Sequence, residues 1–266
     1  MRLTSTPTDL MLVTPEYLLQ ADPRLRVKTL AATERPNQAA WFGMHQDYSE
    51  GSVIDDTPPP EHEAGAACVR HLLAGHRGHY GCLEHAQITI GTAGFPHSVM
   101  QQARTHRIGV SFDTQSMRYT GNRMLRLERP GEDYDPHSFN ISDLLYFRPV
   151  GVYADRHGKK YGYTEFDLDR DKEIASFAVD HYNQRILEGK AEEHSRGLLP
   201  FDFRQNFVVS FTLRSLMHFL DLRAKLDAQL EIRALSHLLM LEFEKWTPEI
   251  GAWYRANRLA KARLAP

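Results

Sequence analysis

Apolar and polar positions repeat with two different periods along this chain, and the switches between them lay out its elements. Over 205–222 the apolar residues Val209, Leu213, Leu216 and Leu220, reinforced by Phe211, Phe219 and Leu222, recur at helical spacing. Ser210, Arg214, His218 and Asp221 fall three or four apart on another face, so the pattern predicts one long amphipathic helix. A second helix is predicted over 228–246, with Ile232, Leu235, Leu239 and Phe243 facing the core and Asp227 placed to cap it. A third, over 171–187, gathers Ile174, Phe177, Ala178, His181, Tyr182 and Ile186 on one side.

Upstream the same reading predicts a strand near 26–30 and a helix over 39–44, opened by Arg35-Pro36-Asn37. Thr57 and the three prolines after it form a rigid break. Beyond them Ala66, Val69, Leu72 and Leu73 have helical spacing over 61–74. Ala86, Ile88 and Ile90 alternate with polar residues as in a strand, and 91–97 reads as the turn after it. Ser98 and Gln101 have the spacing of a capping box, so a helix is expected from Val99 into the following basic segment. The stretches 145–153 and 160–164 flank Asp155 to Gly158, which reads as a β-hairpin with a glycine-assisted turn.

Composition places the chain among ordinary globular proteins, with 266 residues, 42% hydrophobic and 25% charged. A net charge of -2 argues against a general nucleic-acid binder, whose affinity rests on excess Lys and Arg. No run approaches the roughly 18 apolar residues of a membrane span, and no signal-peptide core follows Met1, so the expected location is the cytoplasm. Cys68 and Cys82 form no metal pattern and are expected as buried free thiols. No metal is expected.

The basic groups are local. Arg104, His106, Arg107, Ser111, Gln115, Ser116 and Arg118 crowd into fifteen residues, and guanidinium forks with hydroxyls suit a phosphate or carboxylate. Such a cluster also occurs as a charged face or an ion-pair network. A second dense stretch, 75–85, carries His76, His79 and His85 with Glu84 among glycines, without the spacing of a zinc site. Gln101 has two readings, a cap for its own helix or a ligand contact. Arg196, before Leu198, Leu199 and Pro200, has a structural ion pair as its alternative.

The order of these residues resembles the flavin-dependent thymidylate synthases. That family carries an Arg-His-Arg triplet followed by Ser-x-Asn-x-x-Ser-x-Arg. Here Arg104-Thr105-His106-Arg107 precedes Ser111-Phe112-Asp113-Thr114-Gln115-Ser116-Met117-Arg118. A threonine interrupts the triplet, one extra residue separates the two parts, and aspartate replaces the asparagine. Gly78-His79 with Glu84-His85 matches the family's Gly-His-x-x-x-x-Glu-His, with Gly81 where many members have a small hydroxyl residue. Ser195-Arg196 to Pro200 resembles its Ala-Arg-x-x-Leu-Pro, and 214–223 its Arg-Ser-Leu-x-x-Phe-Leu-x-Leu-Arg. Ala228-Gln229, Glu231 and Arg233 also agree, while Thr212 and Asp227 stand where asparagine and histidine are common.

The resemblance implies an α+β fold, an antiparallel or mixed sheet packed with long helices, in one domain over 1–266 with a β-hairpin insertion around 122–172. It implies a homotetramer whose active sites combine residues of several subunits. The activity implied is reductive methylation of dUMP to dTMP, with FAD as cofactor and NADPH and methylenetetrahydrofolate as co-substrates. No cysteine nucleophile is used, in keeping with the absence of a Pro-Cys context here.

By match to the family, Arg223 is the catalytic residue, polarising the pyrimidine carbonyl. Gln101, Arg104, Thr114, Gln115, Ser116, Met117, Arg118, Arg196 and Arg223 would bind dUMP. His79, Gly81, Glu84, Arg104, His106, Arg107, Thr114, Arg214 and His218 would bind FAD. Two rival readings remain at this point: a flavoenzyme that methylates uracil in RNA, and a non-catalytic nucleotide-binding module. Nucleic acid and membrane are not expected as partners.

Overall fold

A computed structural model of the chain describes residues 10–75, 79–124, 140–155 and 157–261. His76, Gly78 and much of the expected insertion lie outside the described residues. In chain order the elements are α1 (Pro15–Ala21), β1 (Arg26–Ala32), α2 (Pro36–Tyr48), α3 (Glu61–Cys68), β2 (Gln87–Pro96), α4 (His97–Ala103), β3 (Val110–Thr114) and α5 (Met117–Thr120). There follow α6 (Ile141–Leu144), β4 (Gly151–Ala154), β5 (Lys160–Tyr163), α7 (Glu165–Leu187), α8 (Glu192–Ser195), β6 (Arg204–Thr212), α9 (Leu213–Arg223), α10 (Leu230–Trp246) and α11 (Pro248–Asn257). The class is α+β, with one sheet ordered β1-β2-β6-β3 and a separate β4-β5 pair.

Two compact units are built from interleaved stretches of the chain. One comprises Arg26–Thr92, Gln102–Asp113 and the residues from Phe207 onward. The long helix expected over 205–222 is here a strand followed by a helix. Along β6 the buried Phe207, Val209 and Phe211 alternate with less buried Asn206, Val208 and Ser210. That is period two, and the β-branched Val208, Val209 and Thr212 favour it. The helical spacing of Val209 with Leu213 is coincidental. Thr212 marks the switch, because its Oγ1 accepts a hydrogen bond from the Ser215 amide at 3.2 Å and caps α9.

Leu213, Leu216, Phe219 and Leu220 of α9 are completely buried. Each contributes about 1.5–3 kcal/mol, so the helix is anchored independently of its polar side chains. Near its end Asp221, 1% exposed, accepts a hydrogen bond from the Tyr254 hydroxyl at 2.7 Å and pairs with Arg258 at 2.6 Å. Burial, with Asp221 beside it, pushes the Tyr254 hydroxyl up. Asp221 shares a face with Arg214 and His218, as their spacing predicts, and with Arg258 the three line one small pocket, while Ser210 leaves that face because it belongs to β6.

Other expectations shift in this unit. Residues 91–97 do not turn, because β2 continues to Pro96. Thr92 donates from its hydroxyl to the Phe207 carbonyl at 2.9 Å, and Thr89 meets Ser210 at 2.9 Å, so β2 and β6 run antiparallel. α3 ends in a π turn, Val69–Leu73; Ala64, Gly65, Cys68, Leu72 and Leu73 are buried and Ala66 is exposed. α10 begins two residues later than expected, with Gln229 at its cap position and Asp227 exposed outside it. Both cysteines are buried free thiols, Cys68 pushed up to about 12 and Cys82 to about 11 chiefly by burial.

The other unit comprises the residues up to Leu25, Ala93–Gln101 and Thr114–Asn206. Its core is formed by Met117, Met124, Leu144, Leu145, Ala175, Val179 and Tyr182. Arg204 is buried there, bonding Asp22 at 2.5 Å, the Gly94 carbonyl at 2.7 Å and the Ser142 carbonyl at 2.6 Å. Gly94 has φ +77, and a Cβ there would run into the Arg24 carbonyl, so the glycine serves close backbone approach within the strand. β4 pairs antiparallel with β5 from Gly151↔Tyr163 to Ala154↔Lys160.

α7 starts earlier than expected, behind a capping box of Thr164 and Asp167. Its apolar residues also divide between two faces. Ala175, Val179 and Tyr182 are buried, whereas Phe166, Ile174 and Phe177 are 67%, 63% and 75% exposed on the opposite side.

Candidate active site

The chemistry-bearing residues of α9 line one cleft. Arg214 and His218 are four apart on the exposed side of the helix, and Leu222 and Arg223 follow one turn on. They face the turn after α4, from Thr105 to Gly109, across a cavity of about 640 Å³. Gly109 makes that approach possible. Its φ is +65, a Cβ would lie 2.8 Å from Thr212 Oγ1, and its carbonyl accepts bonds from the Thr212 amide at 2.9 Å and Ser215 Oγ at 2.7 Å.

Arg223 is the most constrained group in the cleft. Its Nε donates to His106 Nε2 at 2.9 Å, and its Nη2 donates to the Gln102 carbonyl at 3.1 Å and to Thr105 Oγ1 at 2.8 Å. Nη1 takes part in no hydrogen bond among the described residues. Since His106 Nε2 accepts, its proton sits on Nδ1. His106 is 7% exposed and packs against the rings of His218 at 5.6 Å and Phe219 at 4.8 Å. Burial first, then Arg223 and His218, lower its pKa to about 4. It is a neutral acceptor near pH 7, and burial also lowers the pKa of Arg223.

Glu84 closes another side of this cleft, bonded to Arg214 at 2.7 Å. Of the residues matched to flavin binding, Glu84, His106, Arg107, Arg214 and His218 line the cavity. His79 and Gly81 belong to the same unit but are not part of the lining; His79 precedes and Gly81 lies within the turn Tyr80–Glu84, with the His79 ring edge-on to Tyr48 at 6.1 Å. Arg104 is exposed at the end of α4 and is likewise outside the lining.

The cleft fits a planar heteroaromatic ring with an anionic tail. Ile108, 87% exposed, and Leu222 offer apolar surface to a ring, and Arg107 and Arg214 offer forks to phosphates. His218 Nδ1 is buried without a hydrogen-bond partner among the described residues, an unused ring nitrogen in the wall.

The residues matched to dUMP fall in both units. Arg104 and Arg223 belong to the unit just described, and Gln101, Thr114, Gln115, Ser116, Met117, Arg118 and Arg196 to the other. Gln101 Nε2 is 2.8 Å from His97 Nε2, so its amide reaches back along α4 to His97. Gln115 pairs with Asn206 through backbone and side chain, its amide on the Asn206 carbonyl at 3.2 Å and its Oε1 accepting from the Asn206 amide at 3.3 Å. Ser116 caps α5 by accepting from the Arg118 amide at 3.4 Å. Met117 is buried in the core, which leaves only its backbone to meet a ligand. Arg118 pairs with Glu193 at 3.5 Å, and Arg196 is exposed in the turn Arg196–Leu198.

Sequence reasoning missed three contributors here. Thr105 is an interruption of the motif by sequence, yet its hydroxyl holds Arg223. Tyr254 and Arg258 hold Asp221 of α9 from a distant stretch, and no local pattern signals that pairing.

The family described as Thymidylate synthase complementing protein matches residues 28–249. A flavin-dependent thymidylate synthase of Haloarcula marismortui is 32% identical over 259 residues, covering 90% of this chain and 99% of that protein. A flavin-dependent thymidylate synthase of Halobacterium salinarum is 32% identical over 260 residues, covering 91% and 100%. Among solved structures, a UMP/dUMP methylase PolB from Streptomyces cacaoi bound with 5-Br dUMP shares the fold with a TM-score of 0.65 at 19% identity, covering 97% of this chain and 100% of that one.

Proposed function

Because the chain belongs to the flavin-dependent thymidylate synthase family, we propose that it methylates dUMP at C5 to give dTMP, with Arg223 as the catalytic residue. The observation that carries this reading is Arg223 pinned through Nε and Nη2 beside a neutral His106 in a cleft suited to a flavin. When bound, FAD would supply the reducing equivalents, drawn from NADPH, and methylenetetrahydrofolate would supply the carbon. The chain's own residues bind and polarise. Arg223 directs Nη1 at the pyrimidine carbonyl and stabilises negative charge as it develops on the ring, a role typically worth a few kcal/mol for one placed donor. Gln101, Arg104, Thr114 to Arg118 and Arg196 hold the nucleotide, and His79, Gly81, Glu84, Arg104, His106, Arg107, Thr114, Arg214 and His218 hold the flavin.

The interleaving of the two units supports reading 1–266 as one domain, with the β4-β5 hairpin inside an insertion around 122–172. We read the assembly as a homotetramer with shared active sites. The exposed row Phe166, Ile174 and Phe177 is apolar surface of the kind such an assembly covers. Among the described residues no helix is long and apolar enough to cross a membrane.

The test is spectroscopic and then enzymatic. Purified protein supplied with FAD is expected to show a bound-flavin absorption spectrum that shifts with dUMP, and to form dTMP when NADPH and methylenetetrahydrofolate are added. A protein that takes up no flavin, or takes it up and leaves dUMP unchanged, would overturn the reading.

A further inference from the structure

The residue that interrupts the Arg-His-Arg triplet stands at the centre of the Arg223 network. Thr105 Oγ1 donates to the Gln102 carbonyl at 2.8 Å and accepts from Arg223 Nη2 at 2.8 Å. The Gln102 carbonyl, left over at the end of α4, also accepts from Arg223 Nη2 at 3.1 Å. Its side chain is anchored in turn, because Gln102 bonds Gln229, and Gln229 Nε2 donates to Glu231 Oε2 at 2.8 Å on the buried start of α10. The hydroxyl therefore sits between an anchored carbonyl and the Arg223 guanidinium.

Arginine offers five donors on a long side chain, and which nitrogen it presents depends on what holds the others. Here Nη2 is held by Thr105 and Gln102, and Nε by His106, so Nη1 is the nitrogen left for a ligand. We propose that Thr105 is a positioning residue that fixes the Arg223 guanidinium so that Nη1 faces the pyrimidine. This inference rests on the function proposed above. The threonine inserted within the triplet thus adds a hydroxyl that aims another residue's charge.

Thr105→Val removes the hydroxyl at nearly constant shape, and Thr105→Ser keeps it. With the flavin-loaded full chain, Thr105→Val is expected to lower kcat for dTMP formation about tenfold, while KM for dUMP moves less than about threefold. Thr105→Ser is expected to stay within about twofold of the parent in both, a rescue that a packing role would not give. A Thr105→Val enzyme with unchanged kcat, or a Thr105→Ser enzyme as slow as the valine variant, would overturn the assignment.

A second readout needs no turnover. In flavin-free protein with 15N-labelled histidine, the parent is expected to show His106 as the Nδ1-protonated tautomer, and Thr105→Val a mixture as Arg223 loses its fixed orientation. An unchanged His106 tautomer in Thr105→Val overturns the positioning role even if the parent fails to methylate dUMP. The latter failure alone strikes the proposed function and leaves Thr105 to be judged by the tautomer.

Discussion

Arg223 and Arg118 are both matched to dUMP, yet their surroundings differ in kind. Arg223 makes three hydrogen bonds of 2.8–3.1 Å to a neutral histidine, a carbonyl and a hydroxyl, none of which cancels its charge. Arg118 is exposed and meets a carboxylate, Glu193, at 3.5 Å. A guanidinium held by neutral acceptors keeps its full field and a fixed direction, which is what stabilising charge on a reacting ring requires. One that leans on an exposed carboxylate can exchange that partner for a phosphate with little reorganisation. The first arrangement suits chemistry and the second suits capture.

The widest gap between the two should open on truncation. Arg223→Ala is expected to reduce kcat for dTMP formation by about a hundredfold or more, with flavin uptake preserved because α9 is anchored by Leu213, Leu216, Phe219 and Leu220. Arg118→Ala is expected to raise KM for dUMP about tenfold and leave kcat within about threefold. Steady-state kinetics on both variants decides the matter, and the same kcat-to-KM split in each would erase the distinction. Ser116→Ala should behave like Arg118→Ala, since it removes both a hydroxyl and the cap of α5.

Acidity separates the regions next. His106, with its pKa lowered to about 4, stays neutral in the folded protein between that value and the ordinary histidine pKa of about 6.5, while the unfolded chain takes up a proton. The unfolded state therefore binds more protons in this window, and stability falls as pH drops from about 6.5 to about 4, by at most ~3 kcal/mol from this group. Below about 4 both states are protonated and this contribution is lost. His106→Gln, which keeps an acceptor for Arg223, is expected to flatten the dependence. Comparing thermal midpoints of parent and variant from pH 7 to pH 4.5 checks it, and parallel curves would mean His106 titrates normally.

What the sequence made legible follows from where the deciding forces act. The class and the family motifs were readable because, apart from Glu84, the cleft is built from two local stretches, 105–110 and 212–223, each within a signature. The strand at β6 was misread because Val209, Leu213, Leu216 and Leu220 satisfy a helical period across a boundary that only the Thr212 cap reveals. α7 is a helix as expected, but its inward face differs for the opposite reason: it has two apolar faces, and periodicity alone cannot choose which one the core takes. Asp221 with Tyr254 and Arg258 joins residues more than thirty apart, and Thr105 acts through a residue 118 positions away. Such pairings are made by tertiary packing and leave no local trace.

The smallest expected effect concerns the ion pairs themselves. Glu84–Arg214 is close, at 2.7 Å, and Arg118–Glu193 is loose, at 3.5 Å, which suggests that the first should matter more to stability. Both pairs are substantially exposed, with side-chain exposures of 43% for Glu84 and 38% for Arg214, and 55% for Arg118 and 40% for Glu193. Water and salt screen them alike, so double-mutant cycles on thermal stability are expected to return couplings below about 1 kcal/mol for each. A coupling of several kcal/mol for Glu84–Arg214 would show that this pair is a rigid structural strut. Near-equal small couplings would place the difference between the regions in the neutral partners of Arg223, where alanine substitutions of carboxylates cannot reach it.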